Sequence, residues 1–197
     1  PQKIYARDAG IKSIVIEPKS AGIIPNVKIL KNVKLKDAVC SFYGNAVKRI
    51  ISSGMTAYIM RFAYEDLWLC EEVYSMFSGN DKVRILRNDF DAIELESIIK
   101  QFDFIVASRY HSIIHSYKNS VPVLAIGWAA KYKELLEHFG QSEYLIDTRG
   151  LVSIDEINIR LKRIMGNCAI EKRKIADRIK KACAGNMNIF DELMQDI

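Results

Sequence analysis

Apolar residues along this chain gather in short continuous runs, and the stretches between them repeat their apolar positions with helical period. Runs at residues 14–16, 55–60, 83–86, 104–107 and 122–126 have the length of strands buried on both faces, and 144–146 reads as a short edge strand. Between the runs, Val39, Phe42, Tyr43, Ala46, Val47, Ile50 and Ile51 make one stripe of a long helix. Asp37 is placed to cap that helix and Gly54 to stop it. A second helix is expected over residues 66–77, and a third opens at Asp91, where Asp91 and Glu94 have capping-box spacing. Shorter helices follow at 111–118 and 131–139, the latter ended by Gly140, and the chain from Ser153 onward reads as two helices. Strands alternating with helices predict an α/β fold: a doubly wound, mainly parallel, Rossmann-like sheet of five or six strands. Residues 1–150 would form that domain, and 151–197 would be C-terminal helices packed on it or extending from it.

Two details of the early chain belong to this reading. Residues 13–17 give the first strand, ended by Pro18, while Ala21, Gly22, Ile23, Ile24, Pro25 and Asn26 read as a turn that lets the backbone approach a ligand closely.

Composition narrows the class. With 197 residues, 49% hydrophobic and 27% charged, the chain has the make-up of a globular protein with a substantial core. No apolar run reaches the roughly 20 residues needed to cross a bilayer, and the first residues lack a signal-peptide pattern. The start at Pro1, without Met, reads as an interior boundary of a longer protein. Cys40, Cys70, Cys168 and Cys183 are widely spaced with no C-x-x-C pair, which predicts reduced thiols and a cytoplasmic setting rather than a zinc cage.

The net charge of +5 is concentrated between Arg160 and Lys181, where nine Lys and Arg face two Asp and Glu; that local +7 leaves −2 for the remainder. Nucleic acid, an anionic membrane surface or an acidic partner could each meet such a tail. The spacing of Ile175, Ile179, Ala182 and Cys183 favours a simpler reading, the solvated face of an amphipathic helix.

Candidate chemistry sits where the run at 104–107 ends. Ser108, Arg109 and His111 put a hydroxyl, a permanent cation and a titratable imidazole at the start of a helix, at the sheet edge where α/β proteins bind anions. Lys131 falls at the corresponding place after the next strand, and Trp128 reads either as a stacking wall or as core. Arg109 reads equally well as a structural ion pair. His115, one turn after His111, lacks the glutamate and third ligand of a metal site, so no metal is expected.

These residues resemble the polysaccharide pyruvyl transferase family. The stretch Asp103-Phe104-Ile105-Val106-Ala107-Ser108-Arg109-Tyr110-His111 is similar to the family's D-x-x-I-x-S-R-x-H, and Val121-Pro122-Val123 through Ile126-Gly127, Trp128 and Lys131 to its V-P-V…I-G strand, aromatic and lysine. Gly22-Ile23-Ile24-Pro25-Asn26 resembles the family's G-I-S-P-N turn, with Ile24 in place of serine. The resemblance covers about residues 14–150 and implies half of a GT-B-like fold. It also implies transfer of the pyruvyl group of phosphoenolpyruvate onto two hydroxyls of a cell-surface saccharide or its precursor, as a ketal, with no cofactor. Arg109 and His111 would be the catalytic pair, with His111 a candidate general acid. Ser108, Arg109, His111, Lys131, Gly22 and Asn26 would bind the donor. The expected partners are phosphoenolpyruvate, a saccharide acceptor and a missing N-terminal domain, with no nucleic acid. The expected place is the cytoplasm, with a peripheral contact to the inner face of the membrane. A nucleotide-sugar glycosyltransferase and a non-catalytic Rossmann-like binding module are the alternatives.

Overall fold

Six short strands, the inner four wholly buried, form one parallel sheet. The structure is a computed structural model that describes residues 14–31, 36–149 and 153–184. In chain order the elements are β1 (Ser20–Ile24), α1 (Lys36–Ser52), β2 (Thr56–Met60), α2 (Leu67–Ser75), β3 (Val83–Leu86), α3 (Ala92–Ile99), β4 (Phe104–Ala107), α4 (Tyr110–Lys118), β5 (Val123–Gly127), α5 (Ala130–His138), β6 (Leu145–Asp147) and α6 (Ile154–Ala184). The sheet order is β3-β2-β1-β4-β5-β6, every pair parallel. That is the doubly wound dinucleotide-fold order, whose direction of winding reverses between β1 and β4.

Alternation along the strands builds two cores. Ala21, Ile23, Ala57, Ile59, Phe104, Val106, Leu124 and Ile126 pack against α1 and α2 on one face. Ile24, Tyr58, Met60, Ile105, Ala107, Val123 and Ala125 pack against α3, α4 and α5 on the other. The 31-residue α6 belongs to both layers. Ile157, Leu161 and Ile164 enter the first core and Ile175 the second, while Lys172 donates to the Phe102 carbonyl (3.2 Å) between them.

The sheet is as predicted from β2 onward, and the expected capping box at α3 is formed, with Ile93 and Glu94 N–H both donating to Asp91. Three expectations are corrected. Residues 14–17 are not a strand: Val15 is 80% exposed, and the backbone of Ile14 and Ile16 bonds instead to the Gln101 side chain. The first strand is the stretch read as a turn. Gly22 lies mid-strand in β1, where a Cβ would come 2.8 Å from the Phe102 ring. The weak strand propensity of Ser-Ala-Gly is overridden by pairing on both sides, with β2 and β4. The two tail helices are one continuous helix running through Gly166, whose missing side chain meets nothing. The side chains of Asp37 and Cys183 lie outside the described residues.

Candidate anion-binding site at the sheet's switch point

The crevice where winding reverses has a floor made of the chain's own hydrogen bonds. Ser108 follows β4 directly, and its N–H donates to the Ile24 carbonyl (3.1 Å). Its hydroxyl shares a 2.6 Å hydrogen bond with Tyr43 of α1. Its carbonyl accepts from Asn26 Nδ2 (3.1 Å) and from the Tyr132 hydroxyl of α5 (2.9 Å). Gly127 permits the last contact, since a Cβ there would run into the Tyr132 ring. Four elements are thus tied at one residue. Ser108 is fully buried and Asn26 nearly so, and their side-chain bonds are made within the protein. Both were expected to bind a donor; the structure places them beneath the site rather than at its surface. Burial, with Asp66 nearby, pushes the Tyr43 phenol far up, so it stays protonated as a brace.

Above this floor lies an ion-pair cluster. Arg109 grips Asp66 with Nε (2.6 Å) and Nη2 (2.7 Å), and Nη2 also donates to Glu65 (2.8 Å). Asp66 is fully buried and accepts further bonds from the Val27 and Ala63 N–H groups (3.0 and 3.3 Å). It therefore joins the loops after β1 and β2 to the start of α4. The fork geometry is what arginine supplies and lysine does not. Burial works against the Arg109 charge, but the bonds to Asp66 and Glu65 outweigh it and hold its pKa above the ordinary value. The Glu65 carboxyl is held low by its bond to Arg109. Of the two readings of Arg109, the structure shows the ion pair.

His111 and Lys131 stand at the open side. His111 is half-buried in the first turn of α4, and its pKa is lowered first by burial, then by Lys131, His115 and Arg109. It is neutral at pH 7. Lys131 is exposed, with Nζ 4.4 Å from the centre of the Tyr110 ring, a cation held over an aromatic face. Trp128 packs on Tyr132 (5.4 Å between rings) and lines both cores, which makes it mainly a packing residue. His115 bonds Glu96 (3.3 Å) on α3. Arg109, His111 and Lys131 are brought together as expected; Gly22 is not part of this group.

Sequence reasoning missed Glu65, Asp66 and Arg61. Arg61 had a signal: it follows a buried strand immediately, as Ser108 and Arg109 do. Asp66 had none, because Val27 and Arg109, which it joins, lie 39 and 43 residues away. Among the described residues no group of three or more His, Cys, Asp or Glu side chains is placed to hold a metal, and no helix is long and apolar enough to cross a membrane. Among the described residues Cys40, Cys70 and Cys168 are not joined in a disulfide, and burial pushes the Cys168 thiol up to about 11, which leaves it a packing residue.

The chain is thus a Rossmann-like, doubly wound half-fold with Arg109, His111 and Lys131 grouped at its switch point. The sequence profile of the family described as polysaccharide pyruvyl transferase matches residues 15–130, more than half of the chain, and the chain belongs to that family. Among solved structures it is similar in fold to UDP-GlcNAc 2-epimerase from Methanocaldococcus jannaschii, with a TM-score of 0.58 and 14% identity over 76% of this chain and 40% of that one. A second structure of the epimerase from the same organism, in complex with UDP-GlcNAc and UDP, gives a TM-score of 0.52 and 12% identity over 73% of this chain and 37% of that one. The chain thus spans about two fifths of these relatives' length. No curated protein matches it.

Proposed function

We propose that the chain is the donor-binding half of a pyruvyl transferase that uses phosphoenolpyruvate to form a ketal on a saccharide acceptor of the cell surface or its precursor. Family membership and the grouping of Arg109, His111 and Lys131 at one crevice carry the reading. The reaction needs a proton donor and fixed positive charge for departing phosphate. A proton added to the methylene carbon of phosphoenolpyruvate leaves its neighbour oxocarbenium-like, and one acceptor hydroxyl adds there, releasing its proton. The carbon–oxygen bond to phosphate then breaks, and the second hydroxyl closes the ketal with loss of its own proton. Pyruvyl ketal and inorganic phosphate are the products.

His111 suits the proton step because its charge state depends on occupancy. Burial first, and then Lys131, His115 and Arg109, lower its pKa, and a bound anion works against that shift and favours imidazolium. Lys131, exposed and close by, would neutralise the leaving phosphate. In this reading the acceptor is shaped by a further domain, no resident cofactor is needed, and the protein works in the cytoplasm.

Titration calorimetry of the chain with phosphoenolpyruvate, UDP-GlcNAc and UDP tests it. Phosphoenolpyruvate is expected to bind, and to bind at least about tenfold more weakly to His111→Asn and Lys131→Ala. Preference for the nucleotides would move the chain to the nucleotide-sugar class, and phosphoenolpyruvate affinity unchanged in both variants would overturn the assignment.

A further inference from the structure

Arg61 leaves β2 at the same sheet edge, and its guanidinium is unlike that of Arg109. The side chain is 7% exposed, its Cζ lies 5.2 Å from the centre of the Tyr64 ring, and Nη2 pairs with Asp89. Nη1 is buried and has no hydrogen-bond partner among the described residues. A guanidinium has five N–H donors in a planar fork, and a buried donor left unused is costly. The carboxylate that meets it among the described residues is on a loop and 86% exposed, the kind of ion-pair partner that water readily replaces. Arg109 shows the contrast: its main partner, Asp66, is fully buried and held by backbone N–H groups, and only Glu65 is exposed, at 50%. Each arginine at this edge therefore carries one carboxylate that can be exchanged.

The loop is set against the site already described. Phe62, next to Arg61, packs on His115 of α4 with ring centres 5.9 Å apart, so the end of β2 is held to the helix that carries His111. Cys70 of α2 feels the charges of both Arg61 and Asp66. We infer that Arg61 is a second anion-binding residue of this crevice, and that Asp89 stands at the place a phosphate or carboxylate group of the ligand takes. On binding, Asp89 swings into water and the anion takes the fork, giving Nη1 its partner. The inference deepens the proposed function and rests on it for the identity of the donor: phosphoenolpyruvate carries two anionic groups, one for Arg61 and one for the Arg109, His111 and Lys131 side.

Removing the stand-in carboxylate should tighten binding, which no purely structural ion pair would do. Inorganic phosphate, pyruvate and phosphoenolpyruvate are titrated by calorimetry into the wild-type chain, Asp89→Asn, Arg61→Lys and Arg61→Met, with thermal melts of each. Asp89→Asn is expected to bind phosphate or pyruvate at least about threefold more tightly. Arg61→Met is expected to bind that anion at least about tenfold more weakly, with Arg61→Lys between, since it keeps charge but not the fork. If Arg61→Met does not melt cooperatively, the Asp89→Asn result decides. Affinity in Asp89→Asn equal to or below wild type overturns the inference, as does a folded Arg61→Met that binds like wild type, or a wild-type chain that binds none of the three. Phosphoenolpyruvate binding that needs His111 but ignores Arg61 keeps the proposed function and removes this residue from it. Phosphate binding through Arg61 without preference for phosphoenolpyruvate does the reverse.

Discussion

Among the described residues two carboxylates are buried, at opposite edges of one sheet, and they are held in different ways. Asp66, at the carboxyl edge, is bound by the Arg109 fork and by backbone N–H groups of two loops. Glu171, at the amino edge and 1% exposed, is bound by the side chains of Gln141 (2.7 Å) and Lys174 (2.8 Å). Beside Glu171, the Tyr117 hydroxyl and Gln141 Oε1 are buried without partners among the described residues. The first arrangement fixes loop conformation, which a ligand site requires; the second seats a helix. Buried charge thus serves shape at one edge and attachment at the other.

Substitutions can separate these roles. Asp66→Ala leaves Arg109 partly buried and two loop N–H groups unpaired, so a loss of about 3–5 kcal/mol is expected in urea unfolding, together with loss of anion binding. Glu171→Gln keeps the shape but loses the charge that meets Lys174. It is expected to cost about 1–3 kcal/mol while sulfate affinity, read by calorimetry, stays within about twofold of wild type. Equal losses of binding in both variants would erase the distinction. Tyr117→Phe sharpens it from the other side: burial, with Glu171 close by, pushes that phenol well up, and its hydroxyl has no partner. Removing the hydroxyl is expected to raise stability by about 1 kcal/mol, seen as a higher melting temperature.

The smallest effect is one of pH. His111 has a folded pKa below its ordinary 6.5, so the unfolded chain takes up the proton first as pH falls. Its contribution to stability is absent above that value and becomes unfavourable as pH drops from it towards the folded pKa. Urea unfolding is expected to show wild type losing stability against His111→Asn over that window. Sulfate, itself always charged there, should reduce the difference by favouring imidazolium. A parallel pH profile for the two proteins would remove the lowered pKa assigned to His111.

Strand runs, helix stripes and the alternation between them were readable because each follows from local periodicity, and five of the six strands stand where their apolar runs predicted. The exception is instructive. β1 is the central strand beside the switch point, yet its Ser-Ala-Gly start carries little strand signal, since its small size answers to the Phe102 ring rather than to the backbone. In the site, Arg109, His111 and Lys131 were legible from their place after strands. Asp66, Glu65 and the Tyr43 and Tyr132 braces were not, because each acts through contacts between residues far apart in sequence.

One continuous helix with apolar residues in both cores also bears on how the molecule opens. Because α6 seats Ile157, Leu161 and Ile164 on one face and Ile175 on the other, neither layer can be released without breaking part of the other's packing. Slowly exchanging amides of β1 and of β5 should therefore report one shared opening free energy, and the sheet should melt as a single cooperative unit rather than as two stacked layers.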